Sequence, residues 1–159
     1  MLTAVVFYDL VLTIHILAVV VAFGVVFAYP VLDVHIKRAG PGDLPALHRL
    51  HLELGRKVIS PAMVVVLLAG LYMALDRYSL SDPWISATFA ILFALFALMG
   101  AVLTPLDKRL LQFAESDLKA GGGPSADYTR AERSAALFGS LALLLVVVAI
   151  FLMVAKPGA

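Results

Sequence analysis

Four stretches of this chain contain no Asp, Glu, Lys or Arg: Leu10 to Leu32, Val58 to Leu75, Pro83 to Leu106 and Ser134 to Ala155. A hydrocarbon layer about 30 Å thick is crossed by roughly 17 to 25 helical residues. Inside it every backbone N–H and C=O must be satisfied within the protein, which selects helices for segments of this length. The expected fold is therefore all-α: an integral membrane four-helix transmembrane bundle forming one domain over residues 1–159. The helices are expected at about 4–32, 47–76, 83–106 and 131–155. A composition 62% hydrophobic and 14% charged excludes an ordinary soluble domain.

The basic residues set the orientation. Lys37, Arg38, Arg49, Arg56 and Lys57 lie between the first two spans, and Lys108, Arg109, Lys119, Arg130 and Arg133 between the last two. Only Arg77 and Lys156 lie on the other side. The positive-inside rule then puts two loops in the cytoplasm and both termini outside, as expected of a multi-pass protein of the bacterial cytoplasmic (inner) membrane. Met1 to Asp9 has no Lys or Arg and the first apolar run is long for a signal peptide, so the first span reads as a retained helix. With no cysteine, disulfide and thiolate chemistry are excluded. A net charge of +1 gives nucleic acid no reason to bind.

Several local patterns refine this picture. Gly24, Pro30 and Asp33 at the end of span one are echoed by Gly100, Pro105 and Asp107 at the end of span three, a weak sign of a two-helix repeat. Leu44, Leu47, Leu50 and Leu54 recur at helical spacing and suggest an interfacial start to helix two, with Asp43 as its cap. Gly121, Gly122, Gly123 and Pro124 read as a turn. Ala18 and Ala22 share a face with His15, and Ala90, Ala94, Ala97 and Ala101 line helix three; such stripes let helices approach closely. Tyr8, Tyr78 and Trp84 fit an interfacial aromatic belt. His48 and His51 share a helix face and read as a solvated or headgroup-facing pair.

His15 is the ionisable side chain nearest the middle of a span, and groups at that depth usually face the bundle interior and serve a function. A buried neutral imidazole can ligate haem iron or another metal, relay protons or hold one hydrogen bond. No second histidine lies at similar depth, so Met63 is the candidate for a sixth ligand and also a candidate core residue. Nucleophiles, phosphate loops and paired catalytic carboxylates are absent at recognisable spacing, as are broken helices of the transporter kind.

The order His15, Gly24, Phe27, Pro30, then Arg56, Ser60-Pro61-Ala62-Met63, Gly70-Leu71, Trp84 and the closing Val154 to Pro157 resembles the HemJ family of membrane protoporphyrinogen oxidases. It is similar as well to the wider CopD-like superfamily of small helical bacterial membrane proteins, and more so to its uncharacterised four-helix members. The resemblance implies a bundle that binds b-type haem through the helix-one histidine, here His15, with Arg56 placed for a propionate or a lipid phosphate. HemJ proteins carry a His and a required Lys after the helix-three Trp, where this chain has Ser86 and Thr88. That departure points to binding of haem b in a redox or haem-related role rather than to porphyrinogen oxidation. The alternative is a non-catalytic accessory or structural subunit of a membrane complex or a homo-oligomer, without cofactor.

Overall fold

The computed structural model describes the backbone of residues 2–158 and the side chains from Phe7 onward. Four helices, α1 Leu2–Arg38, α2 Leu44–Arg77, α3 Pro83–Lys119 and α4 Ala126–Ala155, make up the bundle, and no strand occurs among the described residues. At 1.5 Å per residue, α1 and α3 are each about 55 Å long, well beyond the hydrocarbon layer. The charge-free stretches are the membrane-spanning segments; beyond them α1 extends at both ends, and α2, α3 and α4 extend mainly at the end that carries the basic loops, called here the basic end.

The helices thus run further than the expected limits of about 32, 47, 106 and 131. Charge ends a membrane segment but not a helix, because an amphipathic helix continues in water wherever it has an apolar face to bury. At the basic end Ile36, Leu44, Leu110, Ala114 and Tyr128 form such a face-to-face core, separate from the membrane core. The Leu44 segment is accordingly an upright part of α2 packed on α3, not a helix lying in the interface. Asp43 sits at its N-cap position without a side-chain cap bond. The glycine turn is as expected, with Gly121 at a φ of 70°, and it is tied down where Asp117 accepts from the Ser125 amide at 2.8 Å. Ser125 then caps α4 by accepting from the Tyr128 amide.

Two wide turns interrupt the regular helices. Pro61 has no N–H for the Lys57 carbonyl and its ring crowds that oxygen; Pro105 does the same to Ala101. The backbone responds with π-helical turns over Gly55–Ile59 in α2 and Leu98–Leu103 in α3. The residue before each proline helps to close the widened turn: Ser60 Oγ donates to the Gly55 carbonyl at 2.9 Å, and Thr104 Oγ1 to the Met99 carbonyl at 2.7 Å. The turns are widened rather than broken, and α2 and α3 run on through them. Pro30, by contrast, sits inside an unbroken α1, so the backbone likeness joins α2 with α3 and not α1 with α3.

In the membrane, α1 packs along α2 and α3 along α4. Ala18 and Ala22 are buried, as expected, beside Phe23, Met63, Val66, Leu95 and Val146. The alanine stripe of α3 is not: Ala90, Ala94, Ala97 and Ala101 are exposed, while Thr88, Leu92, Leu95 and Leu98 face the core. Large side chains are needed there because the two hairpins stand apart, and small ones would leave voids.

The opposite end is closed by cation–aromatic contacts rather than by a simple belt. The Arg77 guanidinium lies 3.7 Å from the centre of the Tyr8 ring. Lys156, in left-handed conformation after α4, donates to the Tyr78 hydroxyl at 3.0 Å and lies 5.5 Å from the buried Trp84 ring. Such contacts are each worth about 0.5–2 kcal/mol.

Because the basic-end core is hydrated in the unfolded chain, hydrophobic burial drives it, whereas lipid removes that drive from the membrane core. Leu110→Ala is expected to cost about 2–5 kcal/mol. Leu137→Ala, on the 73% exposed lipid face, is expected to change stability by less than about 0.5 kcal/mol. Thermal unfolding in detergent followed by Trp84 fluorescence checks both.

Candidate functional site

The wide turns of α2 and α3 border a cavity of about 620 Å³ that all four helices line at the basic end of the membrane core. That volume lies in the range of small-molecule sites, roughly 300–1,000 Å³. Its inner wall is apolar, formed by Val26, Met63, Phe96, Met99, Leu103 and Leu143. Its outer wall carries Tyr29, Asp33 and Lys37 from α1, His48, His51 and Arg56 from α2, Asp107 and Lys108 from α3, and Glu132 from α4.

Tyr29, His51 and Asp107 form the centre of the polar wall. The Tyr29 and His51 rings stack with centres 3.9 Å apart, and the Tyr29 hydroxyl donates to the His51 carbonyl at 3.3 Å. Gly55, one turn further along α2, leaves that hydroxyl room: a Cβ there would stand 3.6 Å from it. His51 Nε2 lies 3.6 Å from Asp107 Oδ2, and the two side chains are only 16% and 14% exposed. That spacing is too long for a hydrogen bond.

Burial governs the charge of this pair. Desolvation, with the neighbouring His48, pushes the His51 pKa down to about 4. Desolvation, with the charge of Asp33, pushes Asp107 up to about 7. Between those values the imidazole is neutral and the carboxyl protonated, so the pair is two neutral hydrogen-bonding groups rather than an ion pair. Burial also raises Asp33.

His48 and His51 are therefore not a solvated pair. His48 is 4% exposed and its Nε2 lies 2.8 Å from the Tyr128 hydroxyl, linking α2 to α4. The signal was in the sequence: His48 and His51 stand four and seven residues after Leu44, on its apolar stripe. Asp33 and Asp107 were the last members of the echoed pattern Gly, Pro, Asp. Nothing in the spacing could have brought Asp107 to His51, because their juxtaposition depends on how α3 packs on α2.

His15 faces inward, as expected, and is 4% exposed. Its ring packs on Gly70 of α2, where a Cβ would come within 3.2 Å of Cε1. Neither ring nitrogen meets full hydrogen-bond geometry with a partner among the described residues, the Val66 backbone of α2 lying beside the ring. Met63 and Arg56 line the cavity; His15 does not. The three residues expected to hold haem thus do not line one cavity. Among the described residues, no group of three His, Asp or Glu is placed to hold a metal ion.

Residues 9–157 match the model of one protein family, described as predicted integral membrane protein (DUF2269). No curated protein and no solved structure matches the chain.

The two shifted groups act on stability in opposite directions. His51, lowered on folding, adds stability as pH rises from about 4 to 6.5. Asp107, raised on folding, removes stability as pH rises from 3.8 to about 7. The wild-type contributions nearly cancel over pH 4 to 6.5. Asp107→Asn is expected to leave stability rising with pH across that window, and His51→Gln to leave it falling, as read from melting temperature against pH.

Proposed function

This chain belongs to the DUF2269 family of predicted integral membrane proteins, and we propose that it works by binding an amphipathic small molecule in the cavity at its basic end. The observation that carries this reading is the cavity itself: an apolar inner wall and an outer wall where buried polar groups from four helices converge. Sites of that composition take ligands with one greasy and one polar part. The wide turns support it too, since π-helical turns inside α-helices recur at functional sites. On the positive-inside rule the polar wall faces the cytoplasm.

Haem b held by His15 was the function implied by the HemJ resemblance, and that arrangement finds no support in the packing of the His15 ring on Gly70. What His15 does here is pack α1 on α2. A second reading, an accessory subunit or homo-oligomer, is supported by the outward alanine stripe of α3, a surface that no helix of this chain uses. Oxidative cross-linking of Ala94→Cys in membranes tests it, a cross-link between copies or to a partner being the supporting result.

The main reading is tested by purifying the protein in mild detergent, extracting it with solvent and weighing the extract by mass spectrometry. A small amphiphile in stoichiometric amount is expected with the wild type and absent from Ala142→Phe, which fills the cavity wall. A bound haem whose Soret band is lost in His15→Ala but kept in Ala142→Phe would overturn the reading.

A further inference from the structure

The cavity carries six charged side chains: Asp33 and Lys37, Arg56, Asp107 and Lys108, and Glu132. Elsewhere in the molecule some charges pair, as Arg49 does with Glu115, Lys57 with Glu53 and Arg130 with Asp127, and those left single stand in water. Within the cavity the six do not pair. Among the described residues the only close approach of the six to a group of opposite type within the cavity is that of Asp107 to the neutral His51 ring, at 3.6 Å. Three acids and three bases therefore share one space without a direct salt-bridge contact between them, the Lys37 charge one turn along α1 acting on Asp33 from a distance. Charges held at the edge of a membrane core are costly unless paired, by each other or by a ligand.

The two signs are separated. Asp33, Asp107 and Glu132 are half-buried in the outer wall, while Lys37, Arg56 and Lys108 are exposed at its margins. Arg56 lies five residues beyond His51 along α2 toward the membrane core, so it stands about 7.5 Å nearer the hydrocarbon than His51 and Asp107. Beyond it Ser60 and Val64 of α2 and Gly100 and Thr104 of α3 are both cavity-lining and exposed, so the cavity opens to lipid between the two wide turns. The helices α2 and α3 make their main contact at their basic ends and a smaller one at the opposite end, where Ala74 packs with Trp84 and Ile85.

We propose that this cavity binds the zwitterionic headgroup of an aminophospholipid from the adjoining leaflet, phosphate against Arg56 and ammonium against Asp33 and Asp107. The order of the groups along the membrane normal matches the ligand: acyl chains in lipid at the gap between α2 and α3, then phosphate, then the amine outermost. A primary ammonium donates three hydrogen bonds, which Asp33 and Asp107 accept, its charge favouring the ionised carboxylates that burial alone disfavours. A quaternary ammonium donates none, and a glycerol headgroup brings no positive charge. The inference rests on the reading of the cavity as the binding site and adds the class of ligand to it.

The test uses delipidated full-length protein in detergent, with native mass spectrometry of bound short-chain lipid. Phosphatidylethanolamine, phosphatidylcholine, phosphatidylglycerol and water-soluble glycerophosphoethanolamine are compared at equal concentration. Phosphatidylethanolamine is expected to bind about tenfold more tightly than the other two lipids, the difference of one charge-assisted contact. Asp33→Asn and Asp107→Asn are expected to abolish that preference, and Arg56→Gln to weaken all three lipids alike. Glu53→Gln, on the Lys57 pair outside the cavity, is expected to change nothing. Should Asp107→Asn fail to fold, Asp33→Asn and Arg56→Gln carry the comparison. Saturation by glycerophosphoethanolamine as tight as that by the lipid would assign the site to a soluble phosphoethanolamine instead and overturn the lipid source. Equal binding of all lipids that is lost in Ala142→Phe would overturn the headgroup inference and leave the cavity reading standing; equal binding that survives Ala142→Phe would overturn both.

Discussion

Two prolines, Pro61 and Pro105, determine the shape of this protein. Each takes one amide out of the hydrogen-bonding ladder of a membrane helix, where no water can replace it. The chain keeps its backbone satisfied by widening the turn before each proline and letting a Ser or Thr hydroxyl reach the exposed carbonyl. A wide turn swells the helix locally and re-aims the residues that follow it. Because the two turns lie in facing walls, the bundle is held open where they occur, and the cavity is the result.

Two solvents act on the two parts of the bundle. In hydrocarbon, helices gain nothing from hiding leucine, so α1 meets α2 through Ala18, Ala22 and Gly70, where backbones and the His15 ring come close. In water, at the basic end, Leu44, Leu110 and Tyr128 are driven together. The cavity lies at the junction of these regions. There charged residues are near enough to water to keep, yet buried enough for His51 and Asp107 to lose their ordinary protonation states. That junction is where a ligand with a polar head and an apolar body is best matched.

The fold was legible because the bilayer imposes a simple rule: charge-free runs of sufficient length become helices, and all four did. The inward face of His15 followed from Ala18 and Ala22 at helical spacing. What the sequence hid was chiefly how the helices pack beyond the hydrocarbon, though the glycine turn there was legible. Charges at Asp33, Arg56 and Asp107 looked like the ends of spans, although the helices run on past them. Pro61 and Pro105 lay inside the expected helices, with nothing in the spacing to say that the turns before them widen or that Ser60 and Thr104 repair the ladder. The alanine stripe of α3 was misread because small residues mark a close approach without saying whether the neighbour belongs to the same chain. His48 and His51 were discounted on exposure, a property set by α3 and α4 arriving over them.

The central claim is that the space for a ligand lies at the basic end of the bundle and not at His15. The chain has no cysteine of its own, so single cysteines report accessibility without interference. Reaction of a small thiol reagent with Leu143→Cys, on the apolar wall of the cavity, and with His15→Cys, against Gly70, measures the claim in membranes. Rapid modification at 143 that slows when phosphatidylethanolamine is added, with no modification at 15, is the predicted result. Modification at 15 with none at 143 would contradict it.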